Sequence, residues 1–241
     1  MQFKYTKGDV KLDIWENALW FTLFSISFSV SDIEAPASLL KNSTLHVNHS
    51  RSKKNVSKKH IEFMNNLAYV IPCEKYRKLF KYTINSIPLT LEIVKDKYLF
   101  SKWMYTIMTL IHTTLNMKFV YNYKQLEQYF LEGTGLHTDH WGCFLWRLMH
   151  AISFGYTEKY KANYSLFFKH LKYIIICMYC RNSYRRFIRE PTTLFNDNVV
   201  QSKEQLTHWL YDLHNKVNKK LNKNVNLTYK EVCNFYTPYC C

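Results

Sequence analysis

Residues 206–223 read LTHWLYDLHNKVNKKLNK, with apolar residues recurring at steps of three and four. This spacing is typical of an amphipathic helix that packs one face against a core. Five glycines and five prolines are too few for the turns of a sandwich or barrel. The same period, or a run that ends at a proline, predicts further helices over 141–156, 166–174, 181–190 and 229–236. The chain is therefore predicted to be all-α and built from helical bundles.

The sequence also repeats itself. Trp15 and Trp20 recur as Trp141 and Trp146, 126 residues later. Further pairs recur at offsets of 107 or 106, namely Cys73 and Cys180, Phe80 and Phe187, Trp103 and Trp209, and Asn116 and Asn222. We therefore predict two tandem four-helix bundles, each with a short fifth helix. The first domain covers 1–132, with a basic insertion around 32–59, and the second covers 136–241.

Composition limits the classes of function. A net charge of +15 favours acidic partners such as nucleic acid, although part of it lies in the insertion, which we interpret as a solvated basic loop that includes Arg51–Lys54. No G-x-G-x-x-G spacing exists, so any nucleotide must be held by side chains. The apolar stretch Ala18–Val30 is too short to span a bilayer, and we interpret it as a core helix. No transmembrane segment is expected.

Three motifs of the second half carry the chemistry. They are Trp146-x-x-x-His150, Cys177-x-x-Cys180, and His214-Asn215-x-Val217-Asn218-x-x-Leu221-x-Lys223. A C-x-x-C alone also fits a zinc site, but zinc needs four ligands and a second C-x-x-C or an H-x-x-x-H is missing from the sequence. No metal is expected.

Together these motifs make residues 139–236 resemble the Erv/ALR family of FAD-linked sulfhydryl oxidases. The duplicated layout, with a degenerate first copy, is most similar to the sulfhydryl oxidases of baculoviruses and related large insect viruses. The resemblance implies that each copy is an Erv-like four-helix bundle and that the second one binds FAD. The residues that it implies for the cofactor are Trp146, His150, His214, Asn215, Val217, Asn218, Leu221 and Lys223.

The resemblance further implies a route for electrons. A substrate protein thiolate attacks Cys177, Cys180 is released facing the flavin, and dioxygen reoxidises the flavin with release of hydrogen peroxide. We expect a nearby group of arginines and the helix N-terminus to stabilise a thiolate at this pair. The arginines are Arg181, Arg185 and Arg186.

The remaining cysteines divide into two groups. Cys240 and Cys241, with Cys233 as another candidate, could form the second, shuttling pair that family members often carry; the alternative is a frayed tail. Adjacent cysteines form only strained disulfides, so Cys240 and Cys241 could instead pair with Cys233 or across a dimer. Cys143 is expected to be a buried core thiol.

The first half has lost the corresponding ligands. Val70 stands where Cys177 stands, which leaves Cys73 unpaired. The other replaced positions are Phe24 for His150, Met108 for His214, Thr109 for Asn215, His112 for Asn218 and Met117 for Lys223. Because the apolar positions persist, we interpret this half as a pseudo-domain kept for packing.

The sequence thus predicts a viral FAD-dependent thiol oxidase that makes disulfides in viral proteins during maturation and virion assembly. It would be a homodimer in the host cytoplasm or nucleus and possibly in the virion, unless the pseudo-domain covers or replaces the dimer interface. Nucleic acid is not required for this activity. Two alternatives stay open, a basic helical module that binds nucleic acid and an inactive Erv-like protein that serves as a virion component.

Overall fold

A computed structural model describes residues 9–30, 49–118, 121–225 and 227–237. These residues form eleven α-helices, three short 3-10 turns and no strand. In the first half the helices are α1 (Leu12–Phe28), α2 (His49–Val70), α3 (Glu74–Ser86), α4 (Leu91–Lys95), α5 (Lys97–Thr114) and α6 (Tyr123–Leu131). In the second half they are α7 (Thr138–Phe154), α8 (Lys161–Ile174), α9 (Met178–Phe187), α10 (Lys203–Lys220) and α11 (Tyr229–Tyr236). The all-α prediction is confirmed.

Helix α1 is almost wholly buried, from Trp15 to Phe28. It is apolar around most of its circumference because α5, α6 and α7 pack against different sides of it. The prediction that Ala18–Val30 forms a core helix is thus confirmed. Within the described part of the chain, no helix is long and apolar enough to cross a membrane.

The two halves meet through helices that occupy matching places in the sequence repeat. Helix α1 packs along α7, and α2 packs along α8. At the end of α7 the backbone approaches the first half so closely that a Cβ on Gly155 would lie 2.4 Å from the side chain of Pro72. The buried residues of both halves form one continuous core. The domain limits 1–132 and 136–241 remain a prediction.

Several local features recur at the repeat spacing. Helices α5 and α10 both have 18 residues, and each is followed by an asparagine with a φ of 52°, Asn116 and Asn222. A left-handed asparagine ends a helix because its short polar side chain tolerates that conformation. Trp103 Nε1 donates to the carbonyl of Ile87 at 2.9 Å, and Trp209 Nε1 donates to that of Thr193 at 3.0 Å. The helices end, and their tryptophans are anchored, in the same way.

Two expectations from the sequence need correction, one about a basic segment and one about Cys143. The basic stretch Arg51–Lys54 lies within α2 and does not form a loop. Residues 32–48 of the predicted insertion lie outside the described residues. Cys143 is exposed, not buried, because it lies on the side of α7 opposite to the buried Trp141, Leu145 and Leu148.

Candidate active site

The dithiol lies at the beginning of α9. Cys177 is the N-cap residue, and its Sγ accepts a hydrogen bond from the backbone N–H of Cys180 at 3.2 Å. Both thiols are partly exposed, and the side chains between them, Met178 and Tyr179, are 43% and 78% exposed. A thiol of another molecule can therefore reach this turn from solvent.

The second cysteine is held in its neutral form. Burial and the neighbouring Cys177 raise the pKa of Cys180 to about 12, and the positive charge of Lys220 opposes that rise. A thiol with so high a pKa is a poor nucleophile at neutral pH. Cys180 is therefore poorly suited to make the first attack on another molecule.

The arginines predicted to stabilise a thiolate at this pair mostly point elsewhere. Arg185 Nε donates to the carbonyl of Lys172 at 2.9 Å, and Arg186 Nε pairs with Glu190 at 3.2 Å. Arg181 is buried, and its burial lowers the pKa of its guanidinium. The prediction is wrong for Cys180, whose pKa is raised.

An aromatic cluster lies between α7 and α10. The rings of Trp146 and His214 stack with 4.0 Å between centroids and 5° between planes. The Nε2 atom of His150 lies 3.0 Å from Nδ1 of His214, so the two imidazoles share a hydrogen bond. The structure thus brings together three residues that the sequence assigned to the cofactor.

Helix α11 adds a ring that the sequence analysis missed. Tyr236 stacks on His150 at 5.5 Å and on Phe154 at 5.2 Å. It is 8% exposed, and burial raises the pKa of its hydroxyl. The only sequence signal was the position of Tyr236 in a short helix just before Pro238, which does not indicate what the ring contacts.

Both histidines of the cluster are neutral at pH 7. Burial, and then the proximity of His214, lower the pKa of His150 to about 3. Burial, and then the charge of Lys223, lower the pKa of His214 to about 4. The Nδ1 atom of His150 is buried without a hydrogen-bond partner in the described part of the chain. A buried polar atom in this state costs about 1–3 kcal/mol, so the cluster offers an unused donor or acceptor to a ligand.

The other predicted cofactor residues lie along the second half of α10 and just after it. Asn218 is buried, while Asn215 and Val217 are partly exposed. Leu221 and Lys223 follow the end of the helix, and Leu221 is 53% exposed. Lys223 lies close enough to His214 to lower its pKa. These residues share one end of the bundle with the aromatic cluster.

Helix α10 also connects the cluster to the dithiol helix. Lys220 Nζ donates to Ser183 Oγ, and the ammonium groups of Lys216 and Lys220 lie 5.4 Å and 6.0 Å from the ring centroid of Phe187. Ser183 and Phe187 belong to α9. The dithiol and the aromatic cluster are therefore two parts of one site, held together by the end of α10.

The candidate shuttle cysteines are only partly described. Cys233 lies on α11 and is partly buried. Cys240 and Cys241 lie outside the described residues. Their pairing with Cys233 stays a prediction. Among the residues that the structure describes, no group of three or more metal-binding side chains comes together.

Comparison with known proteins identifies the family of the second half. The Erv1/Alr family model matches residues 143–235. The chain is 37% identical over 98 residues to a probable FAD-linked sulfhydryl oxidase of Acanthamoeba polyphaga mimivirus, a match that covers 39% of this chain and 66% of the relative. It is 34% identical over 95 residues to the mitochondrial FAD-linked sulfhydryl oxidase of Saccharomyces cerevisiae, covering 38% of this chain and 45% of the relative.

A third relative is matched over most of its length. The FAD-linked sulfhydryl oxidase of African swine fever virus is 33% identical over 102 residues, which cover 40% of this chain and 80% of the relative. The chain spans just under two thirds of the mimivirus relative and less than half of the yeast relative. The narrower resemblance to baculovirus oxidases stays a prediction. By its second half, the chain belongs to the Erv1/Alr family.

Proposed function

We propose that this protein is an FAD-linked thiol oxidase that forms disulfides in substrate proteins through Cys177 and Cys180. The observation that carries the proposal is the placement of a solvent-accessible C-x-x-C at the beginning of α9, which α10 joins to a neutral aromatic cluster. The names of the mimivirus, yeast and African swine fever virus relatives support the same activity.

The residues present fit a flavin cofactor. Trp146, His150, His214 and Tyr236 supply flat, uncharged rings, and the unpartnered Nδ1 of His150 supplies a polar contact within them. Lys223 lies close to the cluster and can hold an anionic phosphate group of the cofactor. Asn215, Val217, Asn218 and Leu221 are proposed to complete the pocket. When bound, FAD would accept an electron pair and pass it to dioxygen, giving hydrogen peroxide.

The two cysteines have separate tasks in this proposal. In the oxidised enzyme they form a disulfide, and a substrate thiolate attacks the sulfur of Cys177. The Cys177–Cys180 bond breaks, a mixed disulfide forms on Cys177, and Cys180 leaves as a thiolate. Lys220 stabilises that thiolate, since its charge lowers the pKa of Cys180. A second substrate thiolate then displaces Cys177, so the substrate loses two electrons and the enzyme dithiol gains them.

The cellular setting is also part of the proposal. Two of the relatives are proteins of viruses, which supports a role in making disulfides in viral proteins during virion assembly, in the host cytoplasm or nucleus or within the virion. A homodimer is likewise proposed from the family. Because α1 and α2 already cover faces of α7 and α8, such a dimer would have to use other surfaces.

The test is purification of the full chain followed by spectroscopy and oxygen-uptake measurements. We expect a bound flavin, visible in the absorbance spectrum, and oxygen consumption that depends on an added dithiol. A colourless protein that binds DNA with strong salt dependence would favour the nucleic-acid alternative. A flavin-containing protein without dithiol-dependent oxygen uptake would favour the inactive virion component.

A further inference from the structure

A cavity of about 380 Å³ lies between the two halves, away from the dithiol. Its walls come from the end of α2 and the start of α3 on one side and from the segment 155–160 on the other. The cavity is within the size range of small-molecule sites, which begin at about 300 Å³. The Erv1/Alr model matches only residues 143–235, so seven of the twelve lining residues lie outside the family match.

Basic side chains dominate the lining of this cavity. Four cations and two carboxylates face it, namely Arg77, Lys78, Lys81, Lys159, Asp9 and Glu74. The carboxylates are engaged within the first half, since Glu74 pairs with Lys78 at 2.6 Å and Asp9 accepts the backbone N–H of Glu74 at 3.0 Å. With four cations against two carboxylates, the lining of the cavity carries a net charge of +2.

Arg77 is the central residue of this group. It is only 7% exposed, and its Nε donates to the carbonyl of Ile71 at 2.9 Å. Its guanidinium lies 5.2 Å from the ring centroid of Tyr160. None of the ion pairs within 4.0 Å in the described part of the chain includes Arg77. A buried arginine is costly unless an anion pairs with it. Glu74 interacts with Arg77 only at longer range, so the guanidinium has no direct ion-pair partner among the described residues.

The two lysines are positioned by aromatic rings of the cavity wall. Lys81 Nζ lies 4.2 Å from the ring centroid of Tyr69, and Lys159 Nζ lies 5.6 Å from that of Tyr160. Contact with a ring face restricts a flexible ammonium group to the region above the ring. One half supplies Lys81 and the other supplies Lys159, so a ligand between them would touch both halves.

The sequence repeat shows that these charges are not needed for packing. At the offset of 107 that relates Cys73 to Cys180, Arg77 corresponds to Tyr184 and Lys81 to Ile188. Both second-half residues are buried, and the hydroxyl of Tyr184 donates to a backbone carbonyl. The same place in the bundle is therefore filled by uncharged side chains in one half and by cations in the other.

We propose that this cavity binds a small anion that carries phosphate groups. The guanidinium of Arg77 can donate two parallel hydrogen bonds to phosphate oxygens, and Lys81 and Lys159 can neutralise further negative charge from opposite walls. By contacting both halves at once, such a ligand would stabilise their packing.

The test is calorimetric titration of the full, flavin-loaded protein with inorganic pyrophosphate and, separately, with orthophosphate and AMP. Binding of pyrophosphate is expected, together with a rise in Tm as its concentration increases. The double variant Lys81→Ala/Lys159→Ala should bind at least about tenfold more weakly, which corresponds to the loss of two charge-assisted contacts. If AMP binds more tightly than orthophosphate, the cavity recognises a nucleotide. If the two bind equally, it recognises the phosphate group alone. Either outcome supports the site.

Matched controls separate this site from general charge effects. Lys97 and Lys172 also lie over tyrosine rings, at 5.3 Å and 5.2 Å, but do not line the cavity. The double variant Lys97→Ala/Lys172→Ala removes the same charge and should keep full affinity. Arg77→Lys keeps the positive charge but loses the bidentate hydrogen bonds to phosphate, so it is expected to weaken pyrophosphate binding.

Three results would overturn the proposal. The first is the absence of pyrophosphate binding to the folded wild-type protein. The second is an equal loss of affinity in both double variants. The third is a loss of affinity in Lys223→Ala that the cavity variants do not share, because it would place the anion at the flavin site.

Discussion

The first and second halves of the chain surround their equivalent tryptophans with different side chains. In the second half Trp146 stacks on the neutral His214, and His150 keeps an unpartnered Nδ1. In the first half the equivalent tryptophan, Trp20, donates through Nε1 to the hydroxyl of the fully buried Tyr76 at 2.8 Å. The two tryptophans therefore have different partners: one stacks on a histidine ring, and the other donates its N–H to a buried tyrosine hydroxyl.

A buried histidine–glutamate contact in the first half adds to this difference. His112 Nε2 lies 2.6 Å from Glu16 Oε1, and both side chains are nearly inaccessible to solvent. The repeat aligns His112 with Asn218 and Glu16 with Gly142. The ring of Trp20 lies edge-on to His112 at 5.9 Å. The comparison teaches that the first half is not simply a bundle without its ligands, because new polar contacts have been built among the retained apolar positions.

The largest expected effect concerns the dithiol. Cys177→Ser and Cys180→Ser should each reduce dithiol-dependent oxygen uptake to the background rate, a loss of at least about a thousandfold, because each removes one sulfur of the redox-active pair. The flavin should stay bound, since neither change touches the aromatic cluster. The measurement is oxygen uptake alongside the flavin absorbance of the same samples.

The first half supplies the matched control for the dithiol. Cys73 is the repeat partner of Cys180, is fully buried, and has a pKa raised to about 11, first by its burial. Cys73→Ala should therefore leave oxygen uptake unchanged. Adding the missing cysteine by Val70→Cys to an enzyme that lacks Cys177 should not restore activity. Restored oxygen uptake would show that a C-x-x-C in the first half can replace the one in the second half.

A smaller effect is expected on flavin binding. His214→Ala removes the ring that stacks on Trp146 and the partner of His150, so flavin affinity should fall by about tenfold to a hundredfold. Met108→Ala changes the corresponding residue of the first half and should leave flavin affinity unchanged. Equilibrium dialysis with both folded variants makes the comparison. Equal losses of affinity would contradict the assignment of the flavin to the second half.

The two histidines should also make stability depend on pH. Unfolded histidine has a pKa of about 6.5, whereas the folded values are about 3 for His150 and about 4 for His214. As the pH falls below 6.5 the unfolded chain takes up protons that the folded chain does not, so stability decreases by about 1.4 kcal/mol per pH unit for each histidine. The loss continues until the pH approaches the folded values.

The first half suggests the variant that tests this dependence. His150→Phe/His214→Met installs the residues of the first half, Phe24 and Met108, which cannot titrate. In urea unfolding of flavin-free protein, the free energy of unfolding of this variant should decrease less between pH 6.5 and pH 5 than that of the wild type. If the free energy of unfolding changes with pH to the same extent in the variant and the wild type, burial does not hold the imidazoles neutral.

The sequence predicted the helices well because their period is strong and their ends carry clear signals. The run 206–223 corresponds to α10, whose end is marked by the left-handed Asn222. The resemblance based on the three motifs also assigned Trp146, His150 and His214 to one site. Cys143 was assigned wrongly, although the periodicity of 141–156 places it opposite the apolar face. The stacking of Tyr236 depends on how α11 returns to α7, which no local pattern specifies.

The smallest expected effect concerns Tyr76. Its contacts in the first half, like those of Tyr236 in the second, were not predicted from the sequence. Tyr76→Phe removes the hydroxyl that accepts the Trp20 Nε1 hydrogen bond and leaves that N–H buried without its partner, while the ring keeps its edge-on contact with Trp15 at 5.0 Å. We expect a loss of about 1–3 kcal/mol in the free energy of unfolding, measured with urea, and no change in flavin affinity. If Tyr76→Phe instead allowed the first half to bind a second flavin, the hydroxyl of Tyr76 would be what excludes the cofactor there.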